Sequence, residues 1–285
     1  MNRRSFIKSS VLAAIFLKVG KLFPAKIGFD DEIKKVKDFI SGLDYSLKSG
    51  TNSDLIKYIG SKFIGTPYEA GTLDINDNEE LVIHISGLDC VTFVENVLTF
   101  MKMIRSEESD IKDYTNELMN IRYRNGRIND YTSRLHYFSD WIYENEKKSL
   151  VKNITQEIGG EEYNKGINFM TTHKDSYPSL KNNPELLERM KHIEADISSR
   201  IMYYIRKENI SDYYSMLQTG DIFAVTTEIK GLDVTHTGYI YKLNDKAHIL
   251  HASQVAGEVV ISKNTIKEYL SSIKKSTGLM IARPI

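Results

Sequence analysis

The feature that most limits how this chain can fold is a change of hydrophobic period near residue 209. Before it, apolar residues recur mostly at helical spacing. Asp30 to Lys62 reads as helix with a break at Ser41-Gly42, and the region from Ser106 to about Asn209 reads as helices separated by loops at Asn125-Gly126 and Gly159-Gly160. Glu185 to Lys207 looks like one long helix. After residue 209 come five short runs with strand character: Asp221–Val225, His236–Tyr241, His248–His251, Glu258–Ser262 and Leu279–Arg283. Helices first and antiparallel strands later predict an α+β fold.

The first 25 residues are set apart. Arg3, Arg4 and Lys8 precede an apolar run from Val11 to Leu17 and a small-residue region ending at Ala25, the pattern of an export signal. Arg3-Arg4-Ser5-Phe6-Ile7-Lys8 resembles a twin-arginine signal. We therefore expect residues 1–25 to direct export, to a periplasmic or extracellular location in a bacterium, and residues 26–285 to form a single domain. The whole chain carries 38 basic and 38 acidic residues; without the five basic residues of the first 25 the balance is 33 against 38, or −5. Such a balance argues against a nucleic-acid partner. No apolar run approaches the ~18 residues of a membrane span, so no stable membrane insertion is expected.

Cys90 is the only cysteine. It excludes an internal disulfide, a Cys-rich zinc site and a redox pair. It follows Gly87-Leu88-Asp89 and opens the clearest helical pattern in the chain. Thr92, Glu95, Asn96, Thr99 and Lys102 fall on one side, with Val94, Val97 and Met101 opposite. Asp89 is the expected N-cap. A cysteine at a helix N-terminus is placed for a lowered thiol pKa, and its own amide for holding an oxyanion. A small buried hydrophobe is the other reading of a lone cysteine.

A nucleophilic cysteine needs a base, and there are seven histidines. Asn244-Asp245 has the composition of a two-residue hairpin turn. That turn pairs Ile240 with Ile249 and Gly238 with His251. It puts His236 on the same face as His251, as its diagonal neighbour, and sends His248 to the other face.

Several segments, taken together and in order, resemble the NlpC-like cell-wall hydrolases, which are papain-like cysteine peptidases and amidases. G-L-D-C-V-T-F resembles their nucleophile segment, G-T-P-Y (Gly65–Tyr68) the loop that brings a tyrosine beside the thiol, and L-Q-T-G-D-I-F (Leu217–Phe223) the strand before the base. T-H-T-G-Y-I-Y resembles the base strand and I-L-H-A-S the strand of a third, polar residue. The resemblance implies Cys90 as nucleophile, His236 as general base and acid, His251 as the orienting group and Tyr68 near the oxyanion. It also implies a papain-like core, in which the Cys90 helix packs on an antiparallel sheet.

Compact members need far fewer than the 146 residues that separate Cys90 from His236. A large, mostly helical insertion (about 106–209) accounts for the difference. Its stretch R-N-G-R-I-N-D-Y-T-S-R-L-H-Y-F-S-D-W (Arg124–Trp141) resembles the N-acetylmuramoyl-L-alanine amidase-like branch. That branch implies cleavage between the lactyl group of N-acetylmuramic acid, in intact or 1,6-anhydro form, and L-Ala of a peptidoglycan stem peptide or muropeptide fragment. Two readings stay open beside it: an endopeptidase cutting between D-Glu and the diamino acid, and a non-catalytic wall-binding module.

Three further residues carry alternatives. Arg134 suits a bidentate contact to a stem-peptide carboxylate, or is an ordinary surface arginine. His136 is a second substrate contact or packs with Tyr137 and Trp141. Asp233 suits a substrate amine or a turn after Gly231. No H-E-x-x-H and no G-x-S-x-G occurs, so neither a zinc amidase nor a serine hydrolase is expected, and no metal or cofactor.

Overall fold

The computed structural model describes residues 29–76 and 78–285; the proposed export segment lies outside them. Along the chain run α1 (Phe29–Ser41), α2 (Asn52–Lys62), α3 (Cys90–Ser106), α4 (Ile111–Arg122), α5 (Phe138–Lys147), β1 (Val151–Asn153) and β2 (Glu161–Glu162). Then follow α6 (Phe169–Thr172), α7 (Pro178–Lys181), α8 (Pro184–Ser199), β3 (Tyr203–Arg206), β4 (Ile222–Thr227), β5 (Val234–Leu243), β6 (Lys246–Ser253), β7 (Glu258–Ile261), α9 (Ile266–Ser272) and β8 (Ser276–Pro284). The mixture of helices and antiparallel sheet is α+β. Among the described residues no helix is long and apolar enough to cross a membrane.

The five expected strands appear as β4 to β8. The sheet runs β2-β3-β8-β4-β5-β6-β7, with β1 pairing β8 beyond β3, and the pairings are antiparallel. Both faces of its centre are covered. Ile222, Ala224, Tyr239, Leu250 and Met280 pack with the core of α2 and α3. Phe223, Val225, Ile240, Ile249 and Ile281 pack on the other side with Ile266 and Leu270 of α9. A strand buried on both faces reads as a continuous apolar run rather than an alternation, which is why D-I-F-A-V looks uniform in sequence.

The region between α3 and β4 is less purely helical than its sequence suggests. It supplies α4, α5 and α8, but β1 and β3 also join the sheet by pairing with β8. The long helix expected over Glu185–Lys207 stops at Ser199, and Tyr203–Arg206 turn into β3. Aromatic and β-branched residues favour a pleated edge once one is offered. Gly278 of β8 allows the close approach, since a Cβ there would lie 2.0 Å from the Ile205 carbonyl oxygen.

Helix α3 is the centre of the packing. Asp89 caps it, accepting from Val91 N at 3.1 Å and Thr92 N at 2.8 Å, while Thr92 Oγ1 accepts from Asp89 N at 2.9 Å. Phe93, Val94, Val97, Leu98, Phe100 and Met101 are fully buried, each worth about 1.5–3 kcal/mol. The helix also docks on the sheet, where Tyr239 Oη donates to Val94 O at 2.8 Å. Its polar side does not face water: Thr92, Glu95, Asn96 and Thr99 are all buried, and α4 covers them. Arg122 Nε donates to Glu95 Oε2 at 2.7 Å, and Tyr114 Oη donates to Asn96 Oδ1 at 2.5 Å.

Breaking the Glu95–Arg122 pair leaves a buried charge alone. Arg122→Met is expected to lower the unfolding free energy by about 3–5 kcal/mol, and adding Glu95→Leu to recover most of it. Urea denaturation of both variants checks this.

Candidate active site

Cys90 begins α3 and keeps partial solvent access. Hydrogen bonding from the backbone N–H groups of Thr237, Cys90 and Val91 favours its thiolate. Burial, and then the Asp89 carboxylate, nevertheless push the thiol up to about 12. The lowering expected at a helix N-terminus is thus reversed, because three amides do not replace the water a thiolate would lose.

The hairpin is as its turn residues predict. Asn244 and Asp245 have φ of 47° and 63°, the two positive values of a type I′ turn. Ile240 pairs with Ile249 and Tyr241 with His248. The ladder ends at Tyr239–Leu250, so the expected Gly238–His251 pair is not part of it, although the two residues stay neighbours. Gly238 has no room for a side chain, since a Cβ there would lie 2.8 Å from His251 Cβ and 2.9 Å from Phe223 Cε1. On the other edge of β5 the pairing skips Thr235: Val225 faces His236, and Thr226 faces Val234. Such a bulge re-aims neighbouring side chains, and here the neighbour is His236.

His236 and His251 meet. Nε2 of His236 lies 2.7 Å from Nδ1 of His251, with the rings at 81°. The ring of Tyr269, from α9, stands 5.7 Å from His236 and 5.3 Å from His251. Burial pulls His251 down to about 4. Burial and then His251 hold His236 well below its ordinary value. At neutral pH both imidazoles are neutral, so one nitrogen of the contact donates and the other accepts. The contact occupies Nε2 of His236 and leaves its Nδ1 for another partner.

Cys90 and His236 line one cavity of ≈ 280 Å³, and Tyr131, Arg134, His136 and Tyr177 line it from the middle region. Tyr68 lies in the loop before Cys90; its N–H donates to Gly257 O at 2.8 Å. Burial raises its hydroxyl pKa, and the nearby Cys90 and Asp89 raise it further.

The three residues left open are now placed. Arg134 is buried rather than on the surface. It pairs with Asp74, lies 3.4 Å from Glu79 through Nε, and donates to Leu73 O at 3.1 Å. The His136 ring lies 4.3 Å from that of Tyr131, tilted by 40°, and its Nε2 donates to Tyr131 O at 2.7 Å. Burial and then the Arg134 charge lower its pKa to about 3. Asp233 is buried at the entry to β5, where it accepts from Ser139 N at 2.8 Å and Val234 N at 2.7 Å. Those bonds tie α5 to β5 and use both carboxylate oxygens.

Residues 58–279 match the family model of AmiA-like, N-acetylmuramoyl-L-alanine amidase-like proteins. The chain belongs to this family. A solved N-acetylmuramoyl-L-alanine amidase from Bacteroides uniformis is similar at 33% identity and a TM-score of 0.79, over 82% of this chain and 99% of that one. A candidate xylanase from Bacteroides fragilis is similar at 37% identity and a TM-score of 0.75, over 79% and 99%. A Legionella pneumophila protein shares the fold at 22% identity and a TM-score of 0.66, over 90% and 97%. No curated protein matches the chain.

Glycoside hydrolysis needs two available carboxyl groups facing each other. Among the described residues that line the cavity, each carboxylate is engaged: Asp74 with Arg134, Asp89 as helix cap, Glu95 with Arg122, and Asp233 with two amides. The site therefore suits the amidase relatives better than the xylanase name.

Sequence reasoning missed Tyr269, Thr235 and the Thr237 amide. The Thr265/Glu268 capping box marks the start of α9, but no local signal says that Tyr269 packs against both histidines.

The neutral pair has a stability signature. A histidine whose folded pKa is depressed costs nothing above about pH 6.5 and destabilises as pH falls toward its folded value, because only the unfolded chain takes the proton. Wild type is expected to lose stability steadily from pH 6.5 to about 4, and His251→Leu to lose less over that window. Urea midpoints measured against pH test the difference.

Proposed function

We propose that this chain is an exported cysteine amidase that hydrolyses the amide between N-acetylmuramic acid and L-Ala of peptidoglycan stem peptides, through a papain-like arrangement of Cys90, His236 and His251. The observation that carries the reading is the 2.7 Å contact between His236 and His251 beside the cavity that also holds Cys90.

The chemistry follows from the neutral resting state. His251 accepts from Nε2–H of His236, which fixes the tautomer with a lone pair on Nδ1. As the Cys90 sulfur attacks the lactyl carbonyl carbon, Nδ1 takes the thiol proton, so charge develops only with the attack. The carbonyl oxygen becomes an oxyanion beside the Cys90 amide, and Tyr68 flanks it. Collapse breaks the C–N bond, and the imidazolium returns its proton to the leaving amine of L-Ala. Water then cleaves the thioester, giving the muramic acid carboxylate and free thiol. A neutral histidine in the third place orients the base without adding a negative charge, which fits the low pKa values of both rings.

Arg134 is the candidate substrate clamp. A stem-peptide carboxylate would take the place of Asp74, its half-exposed partner, while Glu79 stays buried beside the guanidinium. His136 holds the Tyr131 wall of the cavity and stays neutral.

Muropeptide digests analysed by mass spectrometry test the reading. The expected products are an intact stem peptide beginning with L-Ala and the free muramic sugar. Cys90→Ala is expected to lose activity by about 10⁴-fold or more, and His236→Ala by about 10²–10⁴-fold. Cleavage between D-Glu and the diamino acid would instead identify an endopeptidase. Binding without any product would identify a wall-binding module. Because the thiol is pushed up, its thiolate content at rest does not separate enzyme from module, and the product does.

A further inference from the structure

Three charged or titratable residues away from the cavity are joined in a way the chemistry above does not use. His84 lies between two carboxylates, with Nε2 3.0 Å from Glu69 Oε2 and Nδ1 3.5 Å from Glu32 Oε2. Glu32 is on α1, before the residues that the family model covers. It is buried, and it accepts from Ile85 N at 2.7 Å and Ser86 N at 3.3 Å, from Ser86 Oγ, and from Lys35 Nζ at 3.1 Å. Burial pushes this carboxyl up, but the bonds from Ser86, Ile85 and Lys35 and the nearby His84 together hold it below its ordinary value.

Glu69 follows Tyr68 directly and is bonded to the nucleophile segment. Its N–H donates to Leu88 O at 3.1 Å, and Leu88 N donates to Pro67 O at 2.9 Å. Its carboxylate lies over Gly87: a Cβ there would be 2.2 Å from Glu69 Cδ and 2.6 Å from Oε1. The glycine of G-L-D-C thus has a spatial reason. Only a residue without a side chain lets Glu69 cross it to reach His84.

We propose that Glu32, His84 and Glu69 form a clasp that sets the position of Tyr68 relative to Cys90, with His84 as a positioning residue for the reaction. The clasp fastens the 65–69 loop and the 84–88 segment to one another and to α1. Cys90 lies two residues beyond the bridge at Leu88, and Tyr68 forms the other side of that bridge. A loosened clasp lets the loop swing from the thiol without removing any group that touches substrate. The consequence for catalysis rests on the amidase reading; the consequence for thiol access does not.

The test uses the full chain and three variants: His84→Ala, His84→Gln and Gly87→Ala, the last pushing Glu69 aside without deleting a charge. Muropeptide cleavage gives kcat and KM, iodoacetamide labelling at pH 8 gives access to the single thiol, and circular dichroism gives the folded fraction. In folded His84→Ala and Gly87→Ala we expect kcat to fall about 10- to 100-fold, with KM within about twofold and labelling of Cys90 several-fold faster. His84→Gln, able to bond at both ends of its amide, should recover part of both effects. If folded His84→Ala and Gly87→Ala match wild type in labelling rate and kcat, or if kcat falls only with the folded fraction, the clasp is overturned. If wild type cleaves no muropeptide but the variants still label faster, the amidase reading fails and the clasp stands.

Discussion

A helix buried on every side must find partners for its own polar side chains, and the architecture is arranged around that requirement in α3. Glu95 and Asn96 would each be a costly buried group alone. Arg122 and Tyr114, both on α4, meet them. The sheet covers the opposite side through Phe93, Val94 and Val97 against Tyr239 and Leu250. With its body held by α4 and the sheet, the N-terminus of α3 has one available position, and Cys90 sits at it beside β5.

That burial also decides the electrostatics. The same desolvation that stabilises apolar packing raises the Cys90 thiol and lowers both imidazoles. A resting thiolate–imidazolium pair is thereby disfavoured relative to a neutral thiol and neutral imidazoles. The bulge at Thr235 and the end of the β5–β6 ladder at Tyr239 supply what a regular sheet would not: a re-aimed His236, and a Thr237 amide that favours the Cys90 thiolate. Both irregularities lie beside the residues proposed to react, His236 and Cys90.

The middle region is both wall and frame. It lines the far side of the cavity with Tyr131, Arg134, His136 and Tyr177, and it extends the sheet through β1 and β3. Asp233 connects the two roles, since it accepts the Ser139 amide of α5 at the point where β5 begins. Shape at the cavity wall and placement of β5 are therefore coupled through one buried carboxylate.

Much of this was legible from local pattern. The Asp89 cap, the start of α3, five strands and the Asn244-Asp245 turn each depend on neighbours in sequence, and with period-2 geometry the turn alone puts His236 beside His251. Other features depend on groups far apart in the chain and leave no local trace. The helix pattern through Lys207 could not reveal β3, because only the free edge of β8 makes a strand preferable there. Nothing local to α3 shows that α4 covers its polar side, because the partners Arg122 and Tyr114 lie further along the chain. Arg134 reads equally as a surface residue or a clamp in sequence, because its partners Asp74 and Glu79 come from a distant loop. The sequence by itself determined which residues begin elements, turn and alternate, since those are set by short-range sterics and hydrogen bonding. Tertiary structure alone decided the ionisation of Cys90, His236 and His251 and the partners of the buried charges. Desolvation and Coulomb interactions depend on what surrounds a group in space, and those surroundings come from distant parts of the chain.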